Sequence, residues 1–234
     1  MSVTANLNTV KNEIEECRNK NRIIHQVNLL AVSKTKPFSA IAEAYSAGQR
    51  LFGESYAQEA CEKIDYARSN GYEDIRWYFI GPLQSNKTRQ VAEHFDWVMS
   101  CDRQKIARRL NDQRPAFMEP LNVCIQVNIS NEAQKSGVTE DEIWDLANYI
   151  SSLTNLQLRG LMAVALDTED ENILRQEFSR MYSLYTSLQK QYPQVDTLSM
   201  GMTQDMDLAI SCGSNQVRIG TKIFGARNYT REQG

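Results

Sequence analysis

A lysine that follows a buried strand is the first feature of this sequence that could do chemistry. Lys34 lies in "LLAVSKTKP", directly after an apolar run. Most lysines lie on solvated surfaces, so a lysine at the end of such a run lies at the edge of a core. Partial burial and a nearby cation lower the pKa of an amine, and a neutral amine attacks carbonyl carbons. Lys34 is therefore a candidate Schiff-base nucleophile.

Two short stretches near the C-terminus have the residue types that bind phosphate. They are "SMGMTQDM", with Ser199 and Gly201, and "RIGTKIFG", with Gly220 and Thr221. Each stretch precedes a predicted helix, where hydroxyls and backbone N–H groups bind anions well. Either stretch alone is equally consistent with an ordinary loop glycine. Together, beside Lys34 and Arg218, they favour a phosphate ligand.

Eight short apolar runs alternate with helical patterns and must position these residues. The runs are "VNLLAVS", "RLFG", "IRWYFIG", "DWVMSC", "PLNVCIQVNIS", "LQLRGLMAV", "VDTLSMG" and "QVRIG". Such alternation implies parallel strands joined by crossover helices. We predict an α/β fold, a single-domain (β/α)8 TIM-type barrel over residues 1–234 with an extra N-terminal helix over Thr4 to Lys20. A doubly wound open sheet is the alternative.

The carboxyl ends of barrel strands are where ligands bind, and the phosphate site often follows strands 7 and 8. Both phosphate-type stretches fall there, and strand 8 is the neighbour of strand 1 in a closed barrel. A ligand with an aldehyde and a phosphate would use Lys34 and these loops at once. That description fits pyridoxal 5′-phosphate (PLP). We expect the helix after strand 7 to be capped by Thr203.

Composition favours a soluble protein of the cytoplasm. Hydrophobic residues make up 41% of the chain, the net charge is -3, and no apolar run approaches the length of a membrane span. We therefore expect neither a nucleic-acid surface nor membrane insertion. The five cysteines are scattered, which is typical of reduced, buried thiols. The two histidines, His25 and His94, make a histidine-ligated metal site or a Ser-His-Asp triad unexpected.

Several motifs occur together and in one order. They are "LLAVSKTKP", "LFGESYAQE", "WYFIGPLQSNK", "QKSGV", "RGLMAV", "LSMGMTQDMDLAI" and "VRIGTKIFGAR". With them the chain resembles the YggS family of pyridoxal phosphate homeostasis proteins, from about Leu29 to Arg227. The resemblance implies a PLP-binding barrel similar to the N-terminal domain of alanine racemases.

The resemblance also implies roles for individual residues. Lys34 matches the lysine that forms the internal aldimine, and Met162 matches a wall residue of the pocket. The implied phosphate contacts are Ser199, Gly220 and Thr221, with Met200 and Gly201 beside them. Arg218 matches the arginine that faces the pyridine nitrogen, where a cation keeps that nitrogen unprotonated and weakens the ring as an electron sink.

The sequence departs from the family pattern at two positions. Ser55 stands where the family usually has Asn, and Tyr78 where it usually has His. Ser55 keeps a hydroxyl and stays a predicted cofactor contact with a shorter reach. Of the other lysines near the mouth, Lys36 is expected to be solvated. Lys135 is expected either to line the pocket or to be a solvated loop residue.

Racemase chemistry in the alanine racemase family needs a second base, a tyrosine from a C-terminal β domain of the partner subunit. The sequence ends at Gly234, soon after the last predicted strand, so we expect that domain to be absent. Tyr56 and Tyr78 are the remaining candidate bases. We therefore predict a PLP-binding protein of intracellular PLP homeostasis and delivery, without robust turnover and without catalytic residues. A weak PLP-dependent amino-acid racemase and a phosphosugar-type barrel enzyme without PLP are the alternatives.

The expected partners follow from that prediction. They are PLP itself and the PLP-dependent apoenzymes that would receive it. A barrel without the racemase β domain lacks that family's usual dimer interface, so we expect a monomer.

Overall fold

The computed structural model describes residues 2–226, and its centre is a closed ring of eight parallel strands. The strands are β1 (Asn28–Val32), β2 (Leu51–Glu54), β3 (Arg76–Phe79), β4 (Trp97–Cys101), β5 (Leu121–Val127), β6 (Leu156–Ala163), β7 (Thr197–Ser199) and β8 (Gln216–Ile219). Each strand pairs with the next, and β8 pairs with β1 over four residues. The predicted barrel is confirmed, and the open sheet is wrong.

Helices lie on the outside of the ring. Within the described residues they are α1 (Val3–Lys20), α2 (Phe38–Ser46), α3 (Ala57–Ser69), α4 (Thr88–His94), α5 (Gln104–Gln113), α6 (Glu142–Ser151), α7 (Glu171–Gln191), α8 (Met206–Ser211) and α9 (Thr221–Phe224). Helices α2 to α8 connect successive strands, α1 precedes β1 and α9 follows β8. The predicted elements are confirmed, with ends that differ by a few residues.

The start of α8 is one place where the prediction was wrong. The helix begins at Met206, and its N-cap is Asp205 rather than Thr203. The Asp205 carboxylate accepts a hydrogen bond from the Met202 amide at 2.6 Å. That contact holds residues 203–205 in a turn, since a short acidic side chain satisfies backbone N–H groups outside a helix.

Side chains alternate between the barrel interior and the layer beneath the helices. The interior holds a small apolar cluster of Leu30, Tyr78, Met99, Cys124 and Met162, all buried. Tyr78 stacks on the Trp97 ring with centroids 5.0 Å apart and an interplanar angle of 12°. Because this cluster fills the barrel, a ligand has to bind at the rim rather than inside.

The predicted N-terminal helix is confirmed, and it packs on the barrel. Helix α1 buries Leu7, Val10, Ile14 and Cys17. Asn6 Nδ2 also donates to the Ile223 carbonyl at 3.0 Å, which ties α1 to α9. The helix therefore supports the loop that follows β8.

The cysteines behave as small apolar residues. All five are free thiols, and only Cys212 is part-exposed. Burial raises the pKa of Cys101 to about 12, which keeps that thiol protonated at neutral pH. Among residues 2–226, no helix combines the length and the apolar character that crossing a membrane requires.

Candidate functional site

Lys34 lies at the carboxyl end of β1, as predicted, and the structure places it in a tight turn. The strand ends at Val32, and the Lys36 amide donates to the Ser33 carbonyl at 3.1 Å, which closes the turn around Lys34. Lys34 is half-buried. Thr35 has a φ of 63°, in the left-handed region that β-branched residues avoid. The lysine is therefore presented at the rim by a strained turn.

The carboxyl end of β8 contributes a buried guanidinium. Arg218 Nη1 donates to Ser199 Oγ at 2.9 Å, and Nη2 donates to the Ala163 carbonyl at 2.8 Å. The side chain thus reaches from β8 across β7 to β6. Burial lowers the pKa of Arg218 to about 10, so it is still charged at neutral pH. Among residues 2–226, Arg218 forms no salt bridge with a carboxylate.

The two strand ends meet at the rim. In the β1–β8 ladder, Leu30 is paired with Arg218 and Ala31 with Ile219. Gly220 follows directly, and a Cβ added to it would lie 3.2 Å from the Val32 carbonyl oxygen. The loop that begins α9, with Gly220 and Thr221, therefore lies against the strand that ends beside Lys34.

The end of β7 completes this side of the rim. Gly201 has a φ of 99°, and a Cβ there would lie 2.6 Å from the Ala209 Cβ, so the position requires glycine. Its carbonyl accepts a hydrogen bond from the Arg218 amide at 3.0 Å. The Met200 side chain is buried in the outer apolar layer. Any contact that Met200 makes with a ligand would therefore come from its backbone.

A cavity of about 250 Å³ occupies the opposite side of the rim, at the ends of β3, β5 and β6. Met162 and Lys135 line it. Lys135 Nζ donates to the Ala165 carbonyl at 3.0 Å and pairs with Glu132. Of the two interpretations of Lys135, the structure supports the one in which it lines the mouth.

Ser55 lies between these two sides, directly after β2. It is half-buried, and its carbonyl oxygen would lie 2.3 Å from a Cβ on Gly81. The β2 and β3 ends therefore approach each other too closely for any side chain at Gly81. The contact between the Ser55 hydroxyl and a cofactor stays a prediction.

The two candidate tyrosine bases have different surroundings. Tyr56 is exposed and precedes α3 as its N-cap residue. Tyr78 is buried in the barrel interior, and burial raises the pKa of its phenol far above the ordinary value. A phenol that stays protonated cannot take a proton from a substrate.

Lys36, expected to be solvated, makes an exposed contact in which Nζ donates to the Ala226 carbonyl at 2.6 Å. Sequence reasoning missed two features of the site. They are the left-handed turn at Thr35 and, behind it, the buried ion pair of Lys63 and Glu54. The only sequence signal for that pair is an acidic residue at a strand end in "FGES". Arg227, the last residue of the matching motifs, lies outside the described residues.

Comparison with known proteins defines the class of this barrel. Residues 5–228 match the family described as "Alanine racemase, N-terminal domain". A Haemophilus influenzae protein named "Pyridoxal phosphate homeostasis protein" is 56% identical over 100% of this chain and 99% of its own length. The chain belongs to the family of pyridoxal phosphate homeostasis proteins.

Solved structures agree with this membership. PipY of Synechococcus elongatus without PLP is 33% identical, with a TM-score of 0.85 over 96% of this chain and 100% of that one. PipY with PLP bound is 35% identical, with a TM-score of 0.77 over 91% of this chain and 100% of that one. An alanine racemase of Corynebacterium glutamicum, at 13% identity and a TM-score of 0.69 over 91% of this chain and 60% of that one, shares the fold alone.

Proposed function

We propose that this protein binds PLP through a Schiff base on Lys34 and acts in intracellular PLP homeostasis and delivery. One observation supports this most strongly. The turn around Lys34 lies beside the β8 end, where a buried guanidinium has only neutral hydrogen-bond partners among residues 2–226. Such a cation is suited to an electron-rich ligand atom, and the adjacent lysine is suited to an aldehyde.

The residues at the rim fit the parts of PLP. Ser199 Oγ accepts from Arg218, so its own proton remains available to donate to a phosphate oxygen. The proposed phosphate contacts are Ser199, Gly201, Gly220 and Thr221, with the Met200 backbone beside them. Arg218 would face the pyridine nitrogen, Met162 would form a wall, and Ser55 would add a polar contact.

PLP supplies an electrophilic aldehyde carbon and an electron-accepting ring when it is bound. Lys34 would hold PLP through this carbon, by a condensation of its amine that releases water. The step needs no oxidant or reductant, and hydrolysis reverses it. A reversible bond of this kind suits a protein that stores PLP and passes it to apoenzymes.

The same geometry argues for weak or absent turnover. Arg218 is a cation, so it would keep the pyridine nitrogen unprotonated and reduce the ring's capacity to accept electrons. The two candidate tyrosine bases are, respectively, exposed and held as a buried phenol. We propose a single-domain cytoplasmic carrier that works as a monomer.

The visible absorption spectrum of the purified protein tests the binding site. We expect a yellow protein whose borohydride-reduced adduct maps to Lys34. Lys34→Ala should lose the colour, and Lys36→Ala, two residues away, should keep it. A protein that stays colourless with added PLP would overturn the proposal.

A panel of L- and D-amino acids incubated with the PLP-bound protein tests the absence of turnover. We expect no racemisation above the rate of free PLP. Steady turnover that vanishes in Lys34→Ala would instead establish a PLP-dependent racemase.

A further inference from the structure

A buried ionic cluster lies on the outer face of the barrel wall, behind the Lys34 turn. Glu54, at the end of β2, and Lys63, on α3, are 0% and 8% exposed. Lys63 Nζ lies 2.9 Å from Glu54 Oε1 and 2.5 Å from Glu59 Oε1. Two carboxylates and one ammonium group therefore meet where most barrel proteins would place apolar packing.

The cluster holds both neighbours of Lys34. Before Lys34, the Ser33 hydroxyl donates to Glu54 Oε1 at 2.6 Å, and the Ser33 carbonyl accepts from Lys63 Nζ at 3.0 Å. After Lys34, the Thr35 amide donates to Glu59 Oε1 at 2.7 Å. Three charged side chains thus fix the backbone on each side of one residue.

The turn needs such support because its backbone is strained. Thr35 has a φ of 63°, and a left-handed conformation at a β-branched residue persists only where surrounding contacts enforce it. The Glu59 carboxylate provides one such contact at the Thr35 amide. Without it the turn would relax toward a conformation that moves Lys34.

Stability alone does not account for a cluster of this kind. Glu54 is fully buried, and its Oε2 atom has no hydrogen-bond partner among the described residues. Apolar residues of similar volume are often as stabilising as a buried ion pair. The contacts to Ser33 and Thr35 are what an apolar replacement would not provide.

We propose that Lys63, together with Glu54 and Glu59, is a positioning group that holds the Lys34 amine at the rim for attack on an aldehyde. This inference rests on the proposed function. Lys63 itself does not contact the ligand, because it lies on the outer face of the wall, between β2 and α3. Its effect is on the bond to Lys34 and not on the phosphate and ring contacts.

Two ligands separate positioning from a general structural role. PLP has the aldehyde, whereas pyridoxine 5′-phosphate has the same ring and phosphate without it. We expect Lys63→Met to weaken PLP binding and to slow formation of the reducible Lys34 adduct, each about tenfold or more. Binding of pyridoxine 5′-phosphate should stay within about twofold of wild type.

Further variants distinguish a loss of Lys34 positioning from a folding defect. Glu59→Gln keeps Glu54 paired with Lys63 and should show the same selective loss in a milder form. Lys63→Arg should restore part of the rate of adduct formation. Glu93→Gln is the matched control, because it removes the exposed Arg89–Glu93 pair, which has the same i,i+4 spacing as the Glu59–Lys63 pair. It should change the binding of neither ligand.

Each outcome has a defined meaning. Equal loss of both ligands would show a merely structural role, and wild-type behaviour of Lys63→Met and Glu59→Gln would show no role at all. Either result overturns the inference. If wild type itself forms no reducible adduct at Lys34, the proposed function fails first and the variants become irrelevant.

Discussion

Two buried cations, Lys63 and Arg218, lie on opposite faces of the same barrel wall and have opposite surroundings. Lys63 is on the outer face and contacts two carboxylates, Glu54 and Glu59. Arg218 is on the inner face, and its described partners are a hydroxyl and a carbonyl. Lys63 has direct ion pairs on the face that packs against a helix. Arg218, on the face that opens to the rim, has no direct ion pair among residues 2–226, although the Asp205 carboxylate acts on its charge from farther away.

The difference separates a supporting role from a binding role. A buried cation with its counter-ions in place is satisfied and has little to offer a ligand. A buried cation with only neutral partners gains most from a new electron-rich neighbour, because its desolvation is not yet offset. The contrast therefore predicts different responses to removal of each charge.

Removing Lys63 should give the largest change in stability. Lys63→Met leaves the buried Glu54 carboxylate without its cation, and breaking a buried pair in this way costs about 3–5 kcal/mol. Urea denaturation measures the free energy of unfolding. The exposed Lys105, changed to Met, is the control and should stay within about 0.5 kcal/mol of wild type. A loss below about 1 kcal/mol for Lys63→Met would show that the pair is not buried in solution.

Replacing both members of the pair should recover much of that loss. Lys63→Met combined with Glu54→Leu removes both charges, so no buried ion is left unpaired. We expect the free energy of unfolding of the double variant to be about 2–3 kcal/mol higher than that of Lys63→Met alone. The Lys34 adduct should nevertheless form slowly, because the Ser33 contacts are absent. A double variant as unstable as Lys63→Met would mean that the pair is not the source of the destabilisation.

Removing Arg218 should affect stability less and PLP binding more. In Arg218→Met the Ser199 hydroxyl and the Ala163 carbonyl lose a donor, but a costly buried charge also disappears. We expect a loss of about 1–2 kcal/mol in the free energy of unfolding. The Kd for PLP should rise about tenfold, the value of one charge-assisted hydrogen bond.

Exposed Arg108, changed to Met, is the matched control for Arg218. It should leave both the unfolding free energy and the Kd unchanged. If Arg218→Met destabilised the protein as much as Lys63→Met, the contrast between the two faces would be lost. If it bound PLP as well as wild type, Arg218 would have no role in the binding site.

The contrast also shows what a sequence alone can predict. The apolar runs and their alternation with helical patterns were sufficient to predict the barrel, because a buried strand can be recognised from its local composition. Lys34 and Gly220 could be placed at the rim because one directly follows such a run and the other ends one, and Arg218 lies two residues before Gly220. Their surroundings could not be predicted in the same way.

The surroundings of Lys63 and Arg218 could not be predicted because their contacts come from distant parts of the chain. Lys63 is in an ordinary helical pattern, and its contact with Ser33 joins residues 30 positions apart. The Arg218 contact with Ala163 joins residues 55 positions apart. Neither contact has a local signal, since it depends on the closure of the barrel. The turn with a left-handed Thr35 was missed for the same reason.

An exposed carboxylate extends the comparison and gives the smallest expected effect. Glu142, at the start of α6, accepts from the Thr139 amide at 2.8 Å and from the Thr139 hydroxyl at 2.9 Å. These hydrogen bonds lower the pKa of Glu142, whereas burial raises the pKa of Glu54. Residues 139–142 thus form half of a capping box, although the helix begins at Glu142 rather than nearer Thr139.

Thr139→Ala should lower the free energy of unfolding by about 0.5 kcal/mol at pH 7, at the low end for a capping residue. The folded pKa of Glu142 lies below the unfolded value of 4.5, so its stabilisation is present above that value. It is lost as the pH falls through the folded pKa. The Thr139→Ala deficit should therefore shrink below about pH 4.5, whereas exposed Thr154→Ala should show no such trend. A deficit that is constant with pH would show that the hydroxyl does not act through the ionised carboxylate.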